Sequence, residues 1–571
     1  MTIKNYPWWK DSTVYQIWPA SYKDSNGDGI GDIQGIISTL DYLEDLGISV
    51  VWLSPHYDSP QDDMGYDISD YESVYHKYGN MDDMNQLIDE VHKRDMKLIL
   101  DLVINHTSDQ HAWFKESKSS LTNPKRDWYI WRKPQYDSKG NRKPPTNWSS
   151  IFSGSAWNYD PTTDEYYLCL FAKSQPDLNW ENEECRNAIY KSALEFWFKK
   201  GIDGFRIDVA SMYSKASNSK GKFEDAPIIY PNQEFQPAGE LTTNGPRIHE
   251  FHKEMFKKIT SKYDVMTVGE VGFCSKQEAL KYVSHAEKEM NMMFLFNVVC
   301  VGYDGDKFDF KGFNLKNFKD AVISQSDFAQ GTDAWSTVFI ENHDQARSVS
   351  RFGNTSTDEL WNKSAKLLNM LEISLTGTLY IYQGQEIGMT NLPKNWSIDE
   401  YKDIETLNYW AKHKIEHPND SESDLKLMQN IQITARDHAR SPVQWDDSPN
   451  GGFTSGKPWM KVNENFTKIN VKSQINDSNS ILSFYKKSIQ LRQLYKKLFI
   501  HGDFKILDYE NEDLFSFIKS FEDSKSYIVL NFSNKTIPFK PLVDGELELL
   551  HTNVDTPEPG VLSPYEGRIY I

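Results

Sequence analysis

Cysteine is scarce in this chain: four in 571 residues, Cys169, Cys185, Cys274 and Cys300. None stands in a CxxC pair, which argues against a zinc ribbon or a redox motif and leaves buried free thiols as the expectation. Long apolar runs are also missing, and none approaches the ~20 residues needed to cross a bilayer. The opening MTIKNYPWWKD has no apolar stretch of the secretory kind, and the closing RIYI is neither a retention nor a peroxisomal address. A reducing cytoplasm is therefore expected. Positive charge is in deficit, with 63 Lys and Arg against 82 Asp and Glu, a formal net charge of −19. Such a chain is repelled by nucleic acid and by anionic membrane surfaces, so neither is expected as a partner. Internal repeats and low-complexity stretches are absent as well.

Aromatic residues are plentiful: 17 Trp, 30 Tyr and 30 Phe. They suffice for a large core, and they also suit a site that grips flat, weakly polar faces such as sugar rings. The first half alternates short apolar strands with amphipathic helices, and the strand candidates spread over nearly 400 residues. Strand candidates lie at 14–22, 50–55, 98–106, 204–208, 266–270, 290–296, 336–344 and 379–386. Most are near-continuous apolar runs, as strands buried on both faces should be. Asn80 predicts a helix start near Met81, with Leu87, Ile88 and Val91 as its buried stripe. A second helix runs through Ile189, Ala193, Phe196 and Trp197 and stops at Gly201. Eight βα units predict an α/β fold, a (β/α)8 TIM barrel. Its expected extent is 1–106 and 181–497. Residues 107–180 are too long for a loop and are expected to form an inserted subdomain after the third strand. Alternating strands at 504–509, 514–520, 526–532 and 547–551 predict a C-terminal antiparallel β domain, a small sandwich over 498–571.

In such a barrel the chemistry sits where the strands end. The third candidate ends with Asp101, Asn105 and His106, and the fourth with Arg206 and Asp208. The fifth ends at Glu270, and the seventh at Glu341, Asn342, His343 and Asp344. One strand-end acid is ordinarily a salt bridge or a cap. Asp208, Glu270 and Asp344 together, each closing an apolar strand, point instead to a shared site. Paired carboxyls in unlike environments are what glycoside hydrolysis needs, one to attack and one to protonate. A catalytic metal is disfavoured, because no HExxH-type spacing occurs.

The ordered blocks DLVINH (101–106), QPDLNW (175–180), GFRIDVA (204–210), GE (269–270) and ENHD (341–344) resemble the signature of the α-amylase superfamily of glycoside hydrolases. DDMGYD (62–67), NGPRIHEFH (244–252) and ITARDHARSPVQW (433–445) are similar to its fungal maltase/isomaltase and bacterial oligo-1,6-glucosidase branch. The resemblance spans essentially the whole chain. It implies Asp208 as nucleophile, Glu270 as general acid and then base, and Asp344 as stabiliser of the oxocarbenium-like transition state. It also implies Arg206 as the cation beside Asp208. Substrate-binding residues would be Asp63, Tyr66, His106, Phe152, Phe171, Gln175, Val209, His343 and, chosen over Arg440, Arg436. An Asp63–Arg436 pair would block longer chains and make the enzyme exo-acting on small oligosaccharides or disaccharides.

Within that branch, Val209 resembles the isomaltase pattern, where maltases carry threonine. The resemblance thus implies α-1,6 and sucrose-type bonds over α-1,4. Ala210, Val271 and Gly272 look more like maltases, so a maltase-type or broad α-1,4/α-1,6 enzyme stands as the alternative. A sucrose isomerase is a further alternative, but the arginine-rich loop of that group is missing between 296 and 335. Trehalose-phosphate hydrolase would want extra basic residues, which are not evident. Non-catalytic transporter-accessory relatives carry a membrane helix and have lost catalytic groups, unlike this chain. Asp24, Asn26, Asp28, Ile30 and Asp32 offer oxygens at loop positions 1, 3, 5, 7 and 9, but the twelfth position is Gly35 rather than Glu, so a true EF-hand is not expected. The resemblance implies one structural Ca2+ there, with an Asx-rich turn as the alternative. The sequons at Asn105, Asn147 and Asn531 read as chance matches, and the chain is expected to be a monomer.

Overall fold

The computed structural model describes residues 6–272, 274–543 and 545–571. Residues 1–5, on which the signal reading rests in part, lie outside that range. Eight strands assemble into one parallel sheet: β1 (Thr13–Ile17), β2 (Val50–Leu53), β3 (Lys97–Leu102), β4 (Gly204–Ile207), β5 (Met266–Glu270), β6 (Met292–Phe294), β7 (Thr337–Val338) and β8 (Thr378–Tyr382). Their order runs β6-β5-β4-β3-β2-β1-β8-β7. A parallel bridge between Met293 and Ser336 brings β6 to β7 and nearly closes the ring. Each strand candidate overlaps one of these strands, but several strands are shorter than the apolar pattern suggests. The third stops at Leu102 rather than His106, and the seventh at Val338 rather than Asp344. Beyond these points the chain leaves the ladder, with Val103, Ile104, Phe339 and Ile340 still buried in the core.

Strand side chains alternate, and the parity decides what fills the barrel. Val14, Val50, Trp52, Ile99, Met266, Val268, Met292, Phe294 and Tyr380 form an inner apolar cluster. The opposite parity, Val51, Leu53, Leu98, Leu100, Phe205 and Ile207, packs under the helices in the main core. Continuing the inward parity by two residues turns Ile99 into Asp101, Gly204 into Arg206 and Val268 into Glu270. The register pairs Gly204 with Ile99 and Arg206 with Asp101, so the charges begin one layer above the apolar plug. Gly204 is required at its layer, since a Cβ there would meet the Met266 carbonyl oxygen at 1.9 Å.

The helix Met81–His92 has the expected cap. The Asn80 side chain accepts from the Asp82 and Asp83 amides, and Leu87, Ile88 and Val91 are buried. The second helix ends at Gly201 in the left-handed conformation, as expected. Between β3 and the helix at Glu183 lies a three-stranded sheet, ordered Trp131–Arg132, Glu165–Leu168, Trp157–Asp160. The stretch after β4 folds onto it, with a bridge from Trp148 to Gln236 and shared packing of Phe223, Ala226 and Ala238. After β8 the chain forms two helices, Ile404–Glu416 and Ser421–Thr434, which share an apolar cluster, and Asn408 of the first donates to the Phe152 carbonyl. The C-terminal part is a five-stranded antiparallel sheet of Asp503–Leu507, Leu514–Phe521, Ser524–Asn531, Gly567–Tyr570 and Leu549–Thr552. Gly567–Tyr570 was not among the sequence candidates. One face of this sheet joins the barrel core through Phe515, Phe517, Ile528 and Leu530. The other is covered by the short ribbon of Ile537–Pro538 and Val561–Leu562, a thin second layer.

Candidate active site

Arg206 is the hub. Its guanidinium is 2% exposed and donates from Nη1 to Asp101 Oδ1 at 2.7 Å and Asp208 Oδ1 at 2.6 Å. From Nη2 it donates to Glu270. Three carboxyls about one guanidinium would carry a net charge of −2 if all were ionised. Burial accordingly pushes Asp208 well above the usual carboxylate range, with Glu270 and Asp101 adding to the push and Arg206 opposing it. Burial raises Asp101 to about 6, again against Arg206. Burial thus works against full ionisation of the cluster, and Arg206 works for it. Glu270 ends β5 and also accepts from the Val209 amide at 3.3 Å. Val209 itself has φ 37°, a conformation that β-branched residues rarely adopt.

Asp344 sits in a different electrostatic setting. Burial would raise its carboxyl, but His343, Arg436 and Arg440 outweigh that and hold it well below the usual range. Its Oδ1 accepts from Arg436 Nη1 at 3.2 Å and Arg440 Nη2 at 3.0 Å. Both arginines, not one, therefore reach the site. Arg436 also reaches Asp63 at 3.5 Å. Asp403, 2% exposed, takes Arg436 Nε on one oxygen at 2.9 Å and Arg440 Nη1 on the other at 2.5 Å. Lys307 donates to the Asp344 carbonyl at 3.0 Å and to Glu405 at 2.9 Å.

Asp63 and Tyr66 arrive on a turn stiffened by Asp67, which accepts from the Asp62 and Asp63 amides and the Ser59 hydroxyl. Burial raises the Asp63 carboxyl to about 7, and the two arginines only partly offset it. Gln175 donates to Asp63 at 3.0 Å and lies 3.2 Å from His106 Nε2. Tyr66 stacks on His343 with centroids 5.5 Å apart, and its hydroxyl contacts His343 Nε2 at 2.7 Å and Asp101 at 3.1 Å. Trp18 stacks on His343 at 5.3 Å and lies 6.3 Å from the Tyr66 ring. Burial lowers His106 and His343 to about 4 each, so both are neutral hydrogen-bonding groups near pH 7. Phe171 lies 5.0 Å from the His106 ring, and Phe152 5.1 Å from the Arg436 guanidinium. A cavity of about 490 Å³ adjoins them, lined by Phe152, Phe171, Asp62, Ile404 and Asn408.

Every residue expected at the site thus lies in one connected network. Sequence reasoning missed Asp403, Lys307 and Trp18 and set Arg440 aside. The duplicated arginine in ARDHAR was the one signal that both could serve.

In the loop of residues 24–32 the candidate donors make local hydrogen bonds. Asp24 accepts from the Asn26, Gly27 and Gly29 amides, Asn26 from Asp28, and Asp28 from Ile30. Asp28 also pairs with Lys77 at 2.9 Å, and Asp32 accepts from Gly35 and Ser25. Among the described residues no group of three or more His, Cys, Asp or Glu side chains is placed to hold a metal ion. Asn105 and Asn531 are fully buried, which bars glycans there. Among the described residues no helix is long and apolar enough to cross a membrane.

Comparison with known proteins places this geometry among relatives. Residues 16–502 match the alpha amylase catalytic domain. The chain is 59% identical to an alpha-glucosidase of Candida albicans, over all of both chains. It is 47% identical to the oligo-1,6-glucosidase IMA5 of Saccharomyces cerevisiae, again over both whole chains. Among solved structures, the isomaltulose synthase SmuA of Protaminobacter rubrum superposes with a TM-score of 0.92 at 37% identity, over 99% of each chain.

Proposed function

The chain belongs to the alpha-amylase family of glycoside hydrolases, and from that premise we propose that it is an exo-acting α-glucosidase. It removes terminal non-reducing glucose from short oligosaccharides with retention of configuration, preferring α-1,6 and sucrose-type bonds. The observation that carries this reading is the single guanidinium of Arg206 touching both Asp208 and Glu270. One fork keeps the two carboxyls close. That favours the ~5 Å separation of retaining enzymes over the ~6.5–9.5 Å that leaves room for an attacking water.

In the proposed chemistry Glu270 enters as the acid and Asp208 as the nucleophile, with Arg206 favouring the Asp208 carboxylate. Asp208 attacks the anomeric carbon as Glu270 gives its proton to the leaving oxygen, and a glucosyl ester forms. Glu270, now a carboxylate, takes a proton from water, which attacks the same carbon and frees Asp208. Asp344, held ionised, faces the positive charge that grows on the ring. Neutral His106 and His343 hold glucose hydroxyls, and Tyr66 offers an apolar face. The Asp63–Arg436 contact supports an exo mode, because a chain extending past the terminal glucose would have to part it.

The α-1,6 preference is supported by Val209, a hydrocarbon side chain one residue beyond the nucleophile. The names of relatives pull both ways, since some are called alpha-glucosidases and others oligo-1,6-glucosidases. Hydrolysis is favoured over isomerisation because residues 296–335 contain no arginine. A structural Ca2+ in loop 24–32 is proposed on donor chemistry alone: three carboxylates, an amide oxygen and the Ile30 carbonyl. It would draw Asp28 from Lys77, and no reaction step passes through it. We also place the enzyme in the cytoplasm as a monomer, which the unpaired cysteines support.

The test is a panel of isomaltose, sucrose and maltose, with the product anomer followed by NMR. Isomaltose should be cut fastest, and α-glucose should appear first. Maltose cut faster than isomaltose would reject the linkage, β-glucose the mechanism, and isomaltulose from sucrose the hydrolase reading. Asp208→Ala should abolish turnover on every substrate.

A further inference from the structure

We propose that Asp403 is a positioning residue for the reaction, setting the two arginines that orient the transition-state carboxylate Asp344. The inference rests on the reading of Asp344 given above. Arg436 and Arg440 converge on one oxygen, Asp344 Oδ1, at 3.2 and 3.0 Å. Two guanidiniums aimed at one atom repel each other, and a second anion must stand between them to hold both. Asp403 does this with one oxygen on each arginine, at 2.9 and 2.5 Å. The two arginines are thus clasped between two carboxylates, one buried and one facing the cavity. The Asp403 side chain is 1% exposed and that of Asp344 23%. Burial would raise Asp403, but the two guanidiniums win and keep it low.

The backbone around Asp403 makes the clasp rigid. Its Oδ1 caps helix Ile404–Glu416 by accepting from the Glu405 amide at 3.0 Å. Its own amide, and that of Lys402, donate to Asp437 Oδ1 at 2.9 and 2.6 Å. Asp437 lies one residue beyond Arg436, so the loop bearing the arginines and the start of the helix are tied back to back. Asp403 is held away from the sugar, behind the two arginines it binds. Its effect on the reaction runs through the arginines to Asp344, whose charge matters most when the ring becomes cationic.

Asp403→Asn keeps the shape and the cap but removes the charge. With isomaltose, kcat should fall about 100-fold while KM moves less than about threefold. Thr406→Val is the control, because Thr406 braces the same helix start by donating to Asp437 at 3.0 Å without touching either arginine. It should lower the melting temperature while kcat stays within about threefold of wild type. Asp403→Glu keeps the charge and should restore about tenfold of the lost kcat, and it serves alone if the asparagine variant does not fold. An equal kcat loss in Thr406→Val, a wild-type kcat in Asp403→Asn, or an Asp403→Glu no better than asparagine would overturn the proposal. If the wild-type protein hydrolyses no α-glucoside, the functional reading fails instead, and the two failures are distinct.

Discussion

Val209 holds a backbone conformation that strains a β-branched residue by about 1–3 kcal/mol, one position beyond the nucleophile. Its amide is thereby turned to Glu270 at 3.3 Å. Threonine shares the branching and nearly the volume of valine, so Val209→Thr exchanges a methyl for a hydroxyl without changing this strain. The maltose-to-isomaltose ratio of kcat/KM should then rise about tenfold, the worth of one added hydrogen bond to the leaving sugar. An unchanged ratio in initial-rate measurements would reject the role given to Val209. At this scale legibility follows locality. Asp208 and Glu270 stand out in the chain because each closes an apolar strand. Asp403 does not, because its partners lie 33 and 37 residues away. In sequence it reads only as one of many helix caps.

Among the elements, helix Ile248–Lys258 is joined to its neighbours by His249, which lies between Glu289 at 2.9 Å and Glu278 at 2.7 Å. Burial lowers its pKa, but the two carboxylates more than offset that and the net shift is upward. Of the partners, Glu289 is pushed up by its own burial. For Glu278 burial is outweighed by Lys281 and His249, which hold it low. A histidine raised on folding adds stability that is complete below its unfolded value near 6.5. That stability fades as pH climbs through the higher folded value. Urea midpoints should therefore decline as pH rises above about 6.5, and His249→Asn should flatten that decline. A wild-type slope retained in the variant would remove His249 as the cause. The adjacent helix Lys276–Val283 follows the Glu270 strand, so this joint supports the acid's segment without touching it. The elements themselves were largely legible, since apolar runs, Asn80 and Gly201 act locally. Strand lengths were not. Polar tails such as 103–106 and 339–344 continue the apolar pattern in sequence but leave the ladder in space. Gly567–Tyr570 escaped notice because its pairing partners, not its own pattern, make it a strand.

At the scale of the whole molecule, loop 24–32 ties the start of the chain to the segment beyond the arginines. Asp24 donates its amide to the Phe453 carbonyl at 3.0 Å and accepts from Thr454 at 2.5 Å, and Trp459 donates to the Gly29 carbonyl at 2.9 Å. An ion in this loop would bind the folded state and not the unfolded one, and so add stability without entering the chemistry. Chelator should lower the melting temperature and leave initial turnover unchanged. A melting curve indifferent to chelator would leave the loop as a self-sufficient turn.

The sequence by itself determined the barrel, its eight strands and the identity of the acids at its rim. Those properties depend on periodicity and on what ends each apolar run. Only the tertiary structure decided that one guanidinium joins Asp208 to Glu270, that two arginines share Asp344, and that Asp403 holds both. These are matters of charge and distance between residues far apart along the chain, and a linear pattern does not record where such groups meet.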